Sequence, residues 1–96
     1  MSDPFIIKLC SDGAAFEVKS RQRTKLDLIS VSEELASLTR MRIRVKLPVI
    51  LILEGEDGQS ITVYPSGRLL LRKFPSEESV RKTALEISPS LYSGKR

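Results

Sequence analysis

Ninety-six residues suffice for one compact domain, read here as residues 1–96 with fraying at 93–96. With no histidine and one cysteine, the chain cannot form an internal disulfide, the usual zinc sites, or a Ser-His-Asp or Cys-His nucleophile. Sixteen Lys and Arg against twelve Asp and Glu give +4, which permits nucleic-acid or acidic partners without requiring them.

The opening Met1-Ser2-Asp3-Pro4 is not a basic lead into an apolar run, so no secretory signal is expected. No apolar run approaches the roughly 20 residues that span a bilayer, so a cytoplasmic protein with no membrane partner is expected. Phe5 to Cys10 reads as a strand, Ser11-Asp12-Gly13 as a turn, and Phe16 to Val18 as the returning hairpin partner. Lys19 to Lys25 is polar and basic. It reads as a solvated loop, or as an arm that touches phosphates. Leu26 to Ile29 is ambiguous between strand and helix lead-in. Ser30-Val31-Ser32-Glu33 fits a capping box, and Val31, Leu35 and Leu38 share a face, predicting a short helix over about residues 31–39.

Arg40 to Leu47 is the most informative polar pattern. Arg42, Arg44 and Lys46 alternate with Ile43, Val45 and Leu47. On a strand, period two puts the three cations in one row, with Arg40 just before them. Such a row either guards an exposed edge against aggregation or tracks a phosphate backbone. Pro48 cannot donate to a ladder, which predicts an edge strand or a bulge. Val49 to Leu53 is an unbroken apolar run and reads as a buried strand, ended by the Gly55-Glu56-Asp57-Gly58 turn. In Ser60 to Tyr64, Ile61 and Val63 face one way and Ser60, Thr62 and Tyr64 the other. Tyr64-Pro65-Ser66-Gly67 is a hairpin turn, with Arg68 to Phe74 as the returning strand.

Ser76 can then cap a helix whose first turn carries Glu77 and Glu78. Val80, Ala84, Ile87 and Leu91 fall on one face, Glu77 is spaced to pair with Arg81, and Pro89 is expected to stop the helix.

No Gly-rich phosphate loop is present. Glu54, Glu56 and Asp57 lack the spacing of a calcium site. The chain therefore reads as a non-catalytic module that needs no cofactor and no metal. The expected fold is α+β: a curved antiparallel sheet of four to five strands with two helices on one face.

The run Tyr64-Pro65-Ser66-Gly67-Arg68-Leu69-Leu70, leading into Pro75-Ser76-Glu77-Glu78, resembles one half-repeat of the TATA-box-binding protein family. The likeness covers roughly Leu47 to Leu91. It implies that Leu47 and Tyr64 stand where that family has DNA-wedging phenylalanines. Thr62, Leu70 and Arg72 stand on other positions of its DNA-binding face. Leu47 is not aromatic, Tyr64 carries a hydroxyl, Arg72 replaces a threonine and Lys73 a glycine, all of which count against minor-groove wedging. A fainter similarity, carried by Ser79-Val80-Arg81 and Leu85, is to the small dimerising subunit of the KEOPS tRNA-modification complex. The expectation is a module bound to RNA or DNA through Arg40, Arg42, Arg44, Lys46, Tyr64, Arg68 and Arg72. The alternative is a homodimerising accessory subunit of a larger complex with no direct nucleic-acid role.

Overall fold

The computed structural model describes residues 5–9, 15–21 and 25–92. Cys10, the turn at Ser11–Gly13, Arg23 and the tail at 93–96 lie outside the described residues. Eight elements follow in order: β1 (Phe5–Leu9), β2 (Ala15–Ser20), α1 (Leu28–Thr39), β3 (Arg42–Leu47), β4 (Ile50–Glu54), β5 (Ser60–Val63), β6 (Leu69–Arg72) and α2 (Glu77–Tyr92). All six strands join one open antiparallel sheet in the order β1-β2-β6-β5-β4-β3. The sheet is larger than the four to five strands expected, because both arms of the first hairpin extend it. β2 pairs with β6, Val18 opposite Leu69. β2 and β3 consequently run parallel with three strands between them, and α1 carries the chain across.

Alternation along each strand separates two faces. Val18, Leu51, Leu53, Ile61, Val63, Leu69 and Leu71 are wholly buried on one of them, against Leu28 and Leu35 of α1 and Val80, Ala84 and Ile87 of α2. Each such aliphatic side chain contributes about 1.5–3 kcal/mol by leaving water. Phe5 reaches the same core from β1 and is 2% exposed. Both helices cover this face and leave the opposite one uncovered.

Local chemistry sets the boundaries. Helix α1 starts three residues before the expected position, because Asp27 rather than Ser30 is its cap. The Asp27 carboxylate accepts from the Ser30 backbone N–H at 3.2 Å and from the Ser30 hydroxyl at 2.8 Å. Those bonds hold the Asp27 carboxyl below its ordinary range. Arg40 ends α1 in the left-handed conformation, φ 59°, with its N–H donating to the carbonyls of Ala36 and Ser37. At the start of α2, Ser76 and Ser79 cap each other. The Ser79 N–H donates to the Ser76 hydroxyl at 3.2 Å and the Ser76 N–H to the Ser79 hydroxyl at 3.3 Å.

Pro89 does not stop α2, which continues to Tyr92. Proline has no N–H for the carbonyl four residues back, that of Leu85. The Ser88 hydroxyl donates to that carbonyl instead, at 3.3 Å. Leu91, 4% exposed, anchors the last turn in the core.

The β5–β6 turn closes as expected. The Gly67 N–H donates to the Tyr64 carbonyl at 2.9 Å, and Gly67 takes φ +90°. Val49 lies in the tight β3–β4 turn and is 67% exposed, so the strand begins only at Ile50, and it buries Leu51 and Leu53 on one face rather than the whole run.

Candidate nucleic-acid interface

Strand register fixes what the uncovered face presents. Across its middle, Lys8, Glu17, Leu70, Thr62, Ile52 and Val45 stand side by side, one from each strand. Toward one end lie Ala15, Arg72, Ser60, Glu54 and Arg42. Toward the other lie Lys19, Arg68 and Tyr64, with Leu47 opposite Ile50. Leu70, Thr62, Ile52 and Val45 are half-buried with no cation among them, so the middle of the face is a neutral strip. Cations border it.

The expected single row of Arg42, Arg44 and Lys46 does not form. A β-bulge falls between Ile43 and Val45: Ile43 pairs with Leu53 and Val45 with Ile52, leaving Arg44 as the extra residue. A bulge shifts the period-two count by one. Arg42 and Arg44 stay on the uncovered side and share one carboxylate, Glu54, at 3.6 and 3.0 Å. Lys46 turns to the helix side, opposite the buried Leu51, and pairs with Glu33 of α1 at 3.8 Å.

Arg40 also leaves the row. It lines a cleft of about 380 Å³ between the end of α1, the β4–β5 turn and α2, beside Glu56, Asp57 and Glu86. Three carboxylates there oppose a phosphate.

Tyr64, Arg68 and Arg72 do share the uncovered face. The Arg68 guanidinium lies 5.2 Å from the centre of the Tyr64 ring and pairs with Glu17 on β2. This cation–π contact, with a carboxylate behind it, fixes the ring near the sheet. Lys8, Lys19 and Arg72 have no carboxylate partner among the described residues. Lys8 escaped the sequence reading; Lys19, expected in a basic loop that is solvated or touches phosphates, lies instead in β2. The pairing of β2 with β6, which joins both strands to this face, was not legible.

Among the described residues, the face gathers six cations (Lys8, Lys19, Arg42, Arg44, Arg68 and Arg72) against two carboxylates, Glu17 and Glu54. Its net charge is +4, and the whole chain, sixteen against twelve, is also +4. Among the described residues, the seven cations and eight carboxylates off this face sum to −1, so the positive excess of the described residues lies on the sheet face that no helix covers.

No group of metal-ligating side chains occurs among the described residues. No helix among them is long and apolar enough to cross a membrane. Comparison of the chain with family models, with curated proteins and with solved structures finds no match in any of the three.

Proposed function

We propose that this chain is a non-catalytic nucleic-acid-binding module whose ligand lies on the uncovered sheet face. The supporting observation is the excess on that face, among the described residues, of six cations over two carboxylates. A cationic surface of this kind draws phosphates and releases their counterions. Arg42, Arg44, Arg68 and Arg72 serve as phosphate contacts, joined by Lys8 and Lys19, and Tyr64 offers a ring for a base. Leu47, Thr62, Tyr64, Leu70 and Arg72, the positions that the likeness to the TATA-box-binding family implies, share this face. The strand–helix–four strands–helix order from β2 onward is compatible with that likeness.

Fluorescence anisotropy with labelled RNA and DNA across a salt series tests the reading. The wild type binds at low salt and weakens steeply as salt rises. Arg42→Ala with Arg44→Ala flattens the slope of log affinity against log salt by about 1.4 on single strands, about 0.7 for each lost phosphate contact. No affinity for either nucleic acid at low salt overturns it.

A homodimerising accessory subunit is the second reading. It rests on the unpaired outer edge of β3 and on the exposed Leu47 and Val49 at its end. Sedimentation at micromolar concentration, repeated with Leu47→Lys, tests it: a dimer lost in the variant favours it, and a monomeric wild type removes the homodimer.

A further inference from the structure

Resting on the nucleic-acid reading, we infer that the occupant of the face is an unpaired strand, with base faces on the neutral strip and phosphates on the cationic borders. The strip is the observation that decides. Leu70, Thr62, Ile52 and Val45 stand in one row across β6, β5, β4 and β3, a span of roughly 14 Å at about 4.8 Å per strand. No charged side chain interrupts the row within these four strands; Glu17 and Lys8 continue it on β2 and β1.

A duplex presents phosphates and groove walls, and its base faces are hidden in the stack. Laid on this sheet, it would set phosphate oxygens against Leu70, Ile52 and Val45, which have no hydrogen bond to give them. Removing charge from water without a partner is strongly unfavourable. An unpaired strand has rotational freedom that a duplex lacks. It can turn its apolar base faces onto the strip and its phosphates outward.

The borders match that arrangement. Arg42, Arg44 and Arg72 lie along one side of the strip, and Lys19 and Arg68 along the other. Tyr64 stands at the strip's edge, adding the one aromatic ring that the described part of the face displays. The Arg68 guanidinium beside it places cation and ring within reach of a single nucleotide. All six strands together span roughly 24 Å, which suits a site at the short end of the ~4–16 nucleotide range of stacking grooves. Contacts to base faces rather than base edges carry little sequence preference.

The test compares labelled eight-nucleotide single-stranded DNA, single-stranded RNA and a blunt duplex of the same sequence at one low salt concentration. Both single strands bind more tightly than the duplex. Tyr64→Ala weakens single-strand binding roughly 5- to 150-fold, leaves duplex binding unchanged, and is rescued by Tyr64→Phe, which keeps the ring. Ile52→Asp, placing an acid in the strip, weakens single-strand binding further. Circular dichroism of each variant verifies the fold. Duplex affinity equal to or above that of the single strands overturns this inference and leaves the nucleic-acid reading standing. Equal single-strand affinity for wild type and Tyr64→Ala likewise overturns it. Absence of binding to all three probes removes the nucleic-acid reading itself.

Discussion

Ser88 and Pro89 show how a single hydroxyl lets a helix pass a residue that ordinarily ends one. Ser88 is 7% exposed, so the Leu85 carbonyl it satisfies has little access to water. Ser88→Ala is expected to destabilise the fold by about 1 kcal/mol, read as a lower urea midpoint at unchanged slope. The end of the helix was misread from sequence for this reason: proline is a strong stop signal, and a hydroxyl one residue earlier is a weak cue for its cancellation. Asp27 gives the opposite lesson. Both Asp27 and Ser30 have capping chemistry, and the apolar pair Leu28-Ile29 between them fits a strand end as well as a first turn. Because its folded carboxyl lies below the ordinary value, Asp27 contributes stability above that value and loses it as pH falls through the folded one. Urea unfolding of wild type and Asp27→Ala should therefore differ most near pH 7, and the gap should narrow below about pH 4.

At the scale of the element, β3 decides which cations reach the face. Strand, edge position and alternation were all legible in Arg42 to Leu47. Pro48 offered a bulge as an alternative to an edge strand, but the place of the bulge at Arg44 was not legible, because it depends on pairing with β4, and Arg44 differs in no local way from its neighbours. The two outcomes separate experimentally. Lys46→Ala should leave nucleic-acid affinity within about twofold of wild type, whereas the Arg42 and Arg44 variants weaken it at the same salt. The Lys46–Glu33 pair is solvent-exposed, with Glu33 81% accessible. Its loss should shift stability by no more than about 1 kcal/mol. A large binding defect in Lys46→Ala would place Lys46 back on the ligand side and remove the bulge from the account.

Across the whole molecule, the elements were readable one by one, because turn residues and alternation mark most of them locally. Their assembly was less so. Nothing near Val18 announces Leu69, 51 positions away, as its partner. The attachment of β1 and β2, and with it the place of Lys8 and Lys19 on the uncovered face, follows from that one long-range pairing. β1 then depends on β2 alone for its ladder and on Phe5, with the partly buried Ile7, for its hold on the core. Phe5→Ala should cost about 3–5 kcal/mol in urea unfolding, and amide hydrogen exchange should show β1 opening ahead of β4 and β5. Uniform exchange across the sheet in that variant would mean that β1 is not held separately.

The same β2–β6 pairing sets an order of events in folding. β3 to β6 pair through short returns, as where Leu47 meets Ile50 and Val63 meets Leu69. Joining β2 to β6 must close a loop of about fifty residues before any contact rewards it, an entropic debt that local hairpins never incur. The C-terminal meander is thus expected to lead, with the N-terminal hairpin docking onto a sheet already half built. Phe5→Ala would then speed unfolding while leaving the refolding rate nearly unchanged, the kinetic mark of a contact made after the transition state.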